Sequence, residues 1–438
     1  MSVVNLNRRS SEETTQQSTL GRSRSIRHFA FAVALLTGCA GGSISAVGES
    51  ATNADDEQDE VQVDEDSPVT YSDAGAAPVK AKNDASTRTI ADAGTTQSEV
   101  PDTKSNTNDG GVSQSTSDAG SQPTSSANNG KPAGAYKVQN GKIFDGCGEE
   151  LVMRGVNHPT IYTDRAGAAF PEIAKTGANT VRLFWFGTHG VAVNELEGPV
   201  GNAVKNGLLP ILEMHDSTCK WDVDPIIEQW IKPEMVAFIK KHEQHLIVNI
   251  ANEASYPNGD EFVSKYKTAL TKMRGAGIHT PLIIDAGRCG RDYDTLLNRG
   301  KELLDFDPDH NVIFSAHLYD AKPSTSYAGI FAKAKAMQIP FIVGEFANKE
   351  PPGCGADIDY KSLISEANKA GYGWLAWSWG DNDPNSNWNT DCALFDMTST
   401  FAFDTLKDWG KEVSVDNSVS IKATAKRPYA LQHGDTCQ

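Results

Sequence analysis

Between residues 151 and 379 the chain repeats one pattern eight times: a short, mostly apolar run that stops at a polar or aromatic residue. The runs are Leu151–Asn157, Thr180–Phe184, Leu208–Met214, Leu246–Ala251, Leu282–Asp285, Val312–His317, Phe341–Gly344 and Tyr372–Trp379. Their lack of polar alternation marks strands covered on both faces, the habit of a parallel sheet. Most are separated by stretches with apolar residues three and four apart, such as Ile226, Ile227, Trp230 and Ile231, or Phe262, Val263, Tyr266, Leu270 and Met273. Alternation sustained over this length predicts an α/β chain folded as a (β/α)8 TIM barrel rather than an open sheet. No G-x-G-x-x-G follows an early strand, which argues against a dinucleotide fold. Ahead of the first run, Tyr136-Lys137-Val138 and Lys142-Ile143-Phe144 flank Asn140-Gly141, the signature of a tight β-hairpin. That hairpin is expected to plug the bottom of the barrel.

A parallel barrel carries its chemistry at the carboxyl ends of its strands. At those ends stand Asn157-His158, Arg182, His215-Asp216, Asn252-Glu253, His317 with Tyr319, Glu345, and Trp377 with Trp379. Any one of them is compatible with packing. Polar and aromatic groups at the same end of seven strands out of eight are harder to ascribe to packing alone. Two of the runs close in glutamate: Leu246-Ile247-Val248-Asn249-Ile250-Ala251-Asn252-Glu253 and, 92 positions later (345 − 253), Phe341-Ile342-Val343-Gly344-Glu345. A single glutamate after a strand is more often a surface ion-pair residue; a facing pair suits glycoside hydrolysis. One carboxyl must be protonated to assist the leaving oxygen, and the other ionised to attack carbon or activate water. Asn252 is placed to hydrogen-bond a sugar 2-hydroxyl, and Arg182 to keep Glu345 ionised. Trp377 and Trp379 offer flat apolar faces to a pyranose ring.

Three histidines, His158, His215 and His317, also raise a metal reading. Barrel metallohydrolases gather a His-x-His pair on their first strand, and Asn157-His158 lacks that spacing, so neither metal nor cofactor is expected. His215 and His317 read as hydrogen-bonding residues around the sugar and the nucleophile. His158 reads equally well as a structural histidine.

Composition divides the chain. Residues 40–133 carry 16 Asp and Glu against 5 Lys and Arg, a balance of −11 within the total of −17, with one aromatic residue, Tyr71. Too little apolar surface is available there to offset the entropy of ordering, so an acidic disordered linker is expected. Residues 134–438 hold all eight tryptophans and read as one catalytic domain. The acidic balance argues against nucleic acid. Residues 1–39 read as a targeting signal: Arg22, Arg24 and Arg27 precede an apolar run, Phe29 to Leu36, too short to span a bilayer. Its end, Leu36-Thr37-Gly38-Cys39, resembles a bacterial lipobox, which implies lipidation of Cys39 and a place outside the cell or on its surface, at the outer membrane. An ordinary secretory peptide is the alternative. The six remaining cysteines, an even number in an exported chain, favour disulfides. On the barrel reading Cys354 and Cys392 fall in neighbouring loops and Cys147 and Cys437 bracket the domain. Cys219 and Cys289 are left to pair with each other.

Several stretches together resemble glycoside hydrolase family 5. They are Val152-Met153-Arg154-Gly155-Val156-Asn157-His158, Thr176-Gly177-Ala178-Asn179-Thr180-Val181-Arg182, Leu212-Glu213-Met214-His215-Asp216, Val248 to Glu253, Ile342 to Phe346 and Gly373 to Trp379. The likeness spans about residues 134–431 and is closest to the bacterial endo-β-1,4-mannanases. The resemblance implies that Glu253 is the acid/base, Glu345 the nucleophile and retention the outcome. It further implies that Arg182, His215, Asn252, His317, Tyr319 and Trp377 form the supporting shell, acting as a monomer on plant β-mannan. Three places depart from the pattern and would line the substrate cleft: Ala254 stands in place of a tryptophan, Arg288-Cys289-Gly290 in place of Gly-Trp-Gly, and the loop after the second strand, Phe184-Trp185-Phe186-Gly187, is bulkier and more aromatic. Rival expectations are an endo-β-1,4-glucanase or other β-glycanase of the family, a transglycosylase, and a non-catalytic polysaccharide-binding barrel.

Overall fold

The structure, a computed structural model, describes residues 133–187, 192–220, 223–351, 354–380 and 393–438. Two strands, β1 (Gly134–Gln139) and β2 (Lys142–Gly146), form the antiparallel hairpin, turning through Asn140 and Gly141 at φ +51° and +73°. Positive φ at both positions is what a tight hairpin turn needs, and Asn-Gly supplies it at low cost. A third short strand, β3 (Glu150–Leu151), pairs with β2. The run starting at Leu151 is thus split. Leu151 joins the hairpin, and the first barrel strand, β4, covers only Arg154–His158.

β4 and seven further strands close an eight-stranded parallel barrel. These are β5 (Thr180–Trp185), β6 (Leu209–Met214), β7 (Ile247–Asn249), β8 (Leu282–Asp285), β9 (Val312–His317), β10 (Phe341–Glu345) and β11 (Gly373–Ala376). β11 pairs with both β10 and β4, so no edge is left open. Every residue of these eight strands is buried, which accounts for their unalternating sequences. The lower interior is filled by Met153, Leu209, Ile211, Ile247, Ile283, Ile313, Ile342 and Leu375. Tyr136, Ile143 and Leu151 of the small sheet pack into the same cluster, so the hairpin does stopper the barrel floor.

The helices turn one apolar stripe inward. Gly259–Gly275 buries Phe262, Val263, Tyr266, Leu270 and Met273, and begins where the Asn258 side chain accepts from the backbone N–H groups of Asp260 and Glu261. Such packing leaves the carboxyl ends of the strands free of apolar filling. The interior changes character there, from aliphatic to charged.

Candidate active site

At the carboxyl end of the barrel the inward positions of neighbouring strands carry Asn157, Arg182, Glu213, Asn249, Asp285, His317 and Glu345, all buried. Arg182 is their hub. Its Nε donates to Asn249 Oδ1 (2.8 Å) and Nη1 to Asn157 Oδ1 (3.0 Å) and Glu345 Oε1 (2.5 Å). Its Nη2 donates to Asn252 Oδ1 (2.7 Å) and lies 3.4 Å from Asp285 Oδ2 and 3.7 Å from Glu213 Oε1. Burial works against the cation, yet Glu213, Glu345 and Asp285 hold it more firmly protonated than a free arginine. Only the planar fork of arginine engages so many acceptors at fixed angles.

Glu345 ends β10 opposite His317 of β9, where the register slips between Val343 and Glu345. The intervening residue, Gly344, is a glycine, and a Cβ there would lie 2.2 Å from Ser315 Oγ and 3.2 Å from His317 Nε2, so a side chain would crowd both. The slip and the missing side chain together let Glu345 enter the barrel mouth. One carboxylate oxygen accepts from Arg182, and the other accepts from the Tyr319 hydroxyl (2.9 Å) and lies 3.4 Å from His317 Nδ1. Burial raises the pKa of this carboxyl, His317 and Arg182 lower it, and Glu253 raises it again, for a net upward shift. Donors on both oxygens, the Arg182 guanidinium on one and the Tyr319 hydroxyl on the other, nevertheless favour the carboxylate. The ionised form is the one this geometry accommodates.

Glu253 follows β7 on a backbone with φ +51°. Its N–H points at Asp285 Oδ2 (3.3 Å), and its Oε1 meets His317 Nδ1 at 2.8 Å. The side chain is 12% exposed against 4% for Glu345, so Glu253 is the more open of the two to the cleft. Buried His317 is pulled down by desolvation but raised further by Glu345, Asp285 and Glu253, to a pKa of about 9. An oxygen of Glu253, a ring nitrogen of His317 and an oxygen of Glu345 all lie within 4.8 Å of one another. Three such groups are close enough to share a metal ion. A cation there would have to displace the protonated His317 ring and sit against Arg182, so the internal ion pairs fit the donors better.

The other expected residues divide. Asn252 is oriented by Arg182 and by its own Nδ2 donating to Thr218 Oγ1 (2.9 Å). His215 is held by Glu213 through Nδ1 and stacks on Phe184, with ring centres 4.7 Å apart. Phe184 in turn stacks on Trp377 at 5.1 Å, so a flat aromatic array lines one wall. Phe186 and Tyr162 extend it, their rings edge to face at 5.1 Å, with Tyr162 39% exposed. His158 and Trp379 do not join this group. His158 Nε2 meets Asp164 Oδ2 at 2.9 Å, and its ring packs edge-on against Phe170 and Phe401, a structural setting. Trp379 is wholly buried and donates its Nε1–H to the Phe401 carbonyl, so its face is closed to a sugar, contrary to expectation. Sequence reasoning passed over Glu213, Asp285 and Asn249 as members of the site.

Cys147 is bonded to Cys437 and Cys219 to Cys289. Cys392, the expected partner of Cys354, lies outside the described residues, as do Cys39 and the linker.

Comparison with known proteins places this geometry. The family model described as cellulase (glycosyl hydrolase family 5) matches residues 144–383. A mannan endo-1,4-beta-mannosidase of Streptomyces lividans is 30% identical over 309 residues, 67% of this chain and 77% of that relative. One of Salipaludibacillus agaradhaerens is 30% identical over 314 residues, 67% of this chain and 94% of the relative. The solved structure of a β-mannanase from Thermomonospora fusca superposes with a TM-score of 0.60 at 27% identity, covering 67% of this chain and 98% of that one. Matched over more than half its length, and with its two glutamates meeting at the mouth of a closed parallel barrel, the chain belongs to glycosyl hydrolase family 5.

Proposed function

We propose that the protein is a retaining endo-β-1,4-mannanase that cuts mannan, glucomannan or galactomannan by double displacement. The observation that carries this reading is the approach of the Glu253 and Glu345 carboxylates to within 4.8 Å. Retaining glycosidases keep their carboxyls about 5–5.5 Å apart, whereas inverting ones need roughly 6.5–9.5 Å to admit a water. Glu345, ionised between Arg182 and Tyr319, attacks the anomeric carbon. Glu253 gives its proton to the departing glycosidic oxygen, and a glycosyl ester forms on Glu345. Water then attacks the anomeric carbon as Glu253 takes its proton, the bond to Glu345 breaks to restore the carboxylate, and the sugar leaves with its original anomeric configuration. His317 spans both carboxylates and steadies the change of charge on Glu253.

Mannan as the substrate is favoured by the relatives: several are named mannan endo-1,4-beta-mannosidase, and a similar Streptomyces thermolilacinus β-mannanase was solved with mannohexaose. A β-glycanase of broader preference is the second reading, since one relative is named β-mannanase/endoglucanase A. Reducing ends released from galactomannan and glucomannan but not from carboxymethylcellulose support the first; equal release from all three overturns it. Glu345→Gln should reduce turnover to background in protein whose circular dichroism still reports the folded barrel, and full activity in that variant would refute the mechanism. Export and anchoring through a lipid on Cys39 rest on the leader alone. Cys39→Ser should move the enzyme from the membrane fraction to the medium; an unchanged distribution would remove the anchor from the proposal.

A further inference from the structure

The Cys219–Cys289 disulfide joins the loop after β6 to the loop after β8, and so passes over the segment that leaves the strand between them, β7. That segment carries Glu253. Each half of the bridge is bound to it. The Cys219 N–H donates to the Glu253 carbonyl (3.2 Å), and Cys219 Sγ lies 3.8 Å from Glu253 Oε2. On the far side the Cys289 N–H donates to Ser255 Oγ (2.8 Å), two residues beyond Glu253, while the Ser255 N–H donates to the Lys220 carbonyl (2.8 Å) beside Cys219.

The same bridge reaches His317. Gly290, next to Cys289, accepts the His317 N–H at 2.8 Å, and its backbone lies so close that a Cβ there would fall 2.7 Å from the imidazole ring. Four residues of this small region, Cys219, Glu253, Arg288 and Cys289, hold φ between +51° and +57°, a conformation disfavoured without glycine. Such backbone persists only where its surroundings impose it. Hydrogen bonds from exposed loops are a weak constraint for that purpose; a covalent strap across the segment is a strong one.

We infer that the Cys219–Cys289 disulfide is a positioning device for the acid/base: it fixes Glu253 against His317 and at its distance from Glu345, and supplies the wall behind Oε2. The inference rests on the mechanism proposed above. Its consequence is specific to steps in which Glu253 moves a proton. A glycoside with a poor leaving group needs that proton, whereas a dinitrophenyl glycoside does not. Removing the strap should therefore separate the two substrates.

The test compares kcat/KM on mannohexaose and on 2,4-dinitrophenyl β-mannobioside for the wild type and for the Cys219→Ala/Cys289→Ala variant. Since a general acid is worth about 10²–10⁴-fold, loosening it should cost about tenfold or more on mannohexaose and less than about threefold on the activated substrate. Azide, a nucleophile that requires no base, should accelerate turnover of the activated substrate by the variant and form the glycosyl azide, with no gain for the wild type. Equal losses on both substrates, or no loss, would overturn the inference, because a bridge that only stabilises the fold changes the amount of active enzyme and not its leaving-group preference. Should the double variant not fold, Ser255→Ala leaves the disulfide intact, cuts its link to the Glu253 segment, and must show the same skew in smaller measure; its absence is equally fatal. Glu253→Ala is the control: if it lacks the skew and the azide rescue, the acid/base assignment itself fails, and if it has them, a negative result counts against the strap alone.

Discussion

His317 shows how far a single residue's charge depends on its neighbours. Its ring is fully buried, which ought to discharge it, but Glu345, Asp285 and Glu253 surround it and lift its pKa to about 9 from an ordinary 6.5. A pKa raised in the folded state stabilises the fold below the unfolded value and ceases to do so as pH climbs through the folded value. The contribution is therefore complete below about pH 6.5 and fades through about pH 9, for a shift equivalent to about 3 kcal/mol. In urea unfolding at pH 6, 8 and 10, the stability gap between wild type and His317→Gln should be widest at pH 6 and should narrow by roughly that amount at pH 10. A gap that stays constant would mean the ring carries no extra proton. The residues that sequence reasoning passed over belong to the same electrostatic group. Glu213 and Asp285 sit inside apolar strand runs, where a charge persists only if it is paired. The signal was present: both point inward at the height of Arg182, and one buried guanidinium with two nearby buried acids already implies a network. Trp379 misled because its position suggests a platform, while the direction of its indole is set by the Phe401 carbonyl in a distant loop.

At the scale of elements, strand order and type were legible because both faces of each strand are covered, and apolar runs with no alternation have few other homes. β8 and β9 match their expected bounds, while β7 shrinks from an expected six residues to Ile247–Asn249. Burial alone decides which residues are apolar, but ladder pairing decides which are strand. Ile250 still donates to the Ile283 carbonyl before the chain turns toward Glu253. The opposite, amino end of the strands is secured by a different polar device that the apolar pattern does not reveal. Arg274, at the end of the Gly259–Gly275 helix, holds Asp307 with Nε and Nη2 at 2.8 and 2.9 Å, and its Nη1 donates to the carbonyls of Ile278 and Thr280. Both partners are buried, and Asp309 Oδ2, 3.2 Å from Arg274 Nε, replaces only part of what Asp307 supplies, so removing Asp307 falls at the lower end of the cost of breaking a buried pair, about 3 kcal/mol. Asp307→Ala should lower the urea midpoint accordingly while kcat per folded molecule stays unchanged. A fall in kcat would couple the barrel floor to the cleft in a way the present contacts do not support.

At the scale of the molecule, two disulfides among the described residues do different work because they close different circuits. Cys219–Cys289 spans the mouth of the barrel, and Cys147–Cys437 the floor, where it joins residues 290 apart. Around the latter, the Ala133 N–H donates to the Asp435 carbonyl, the Tyr429 N–H to a Glu149 carboxylate and His245 pairs with Asp435, so the chain's last turn is sewn to the hairpin that stoppers the barrel. A bridge closing so long a loop acts chiefly on the unfolded chain, and losing it costs about 2–5 kcal/mol. Cys147→Ala/Cys437→Ala should therefore unfold at lower urea concentration by that measure, yet hydrolyse mannohexaose and the dinitrophenyl substrate with unaltered kcat/KM at temperatures where it is folded. Opening the bridge at the mouth should do the reverse, changing the ratio between the two substrates more than the midpoint. If the floor variant instead showed the leaving-group skew, the two ends of the barrel would be mechanically linked, and the separation of a stabilising floor from a catalytic rim would have to be abandoned.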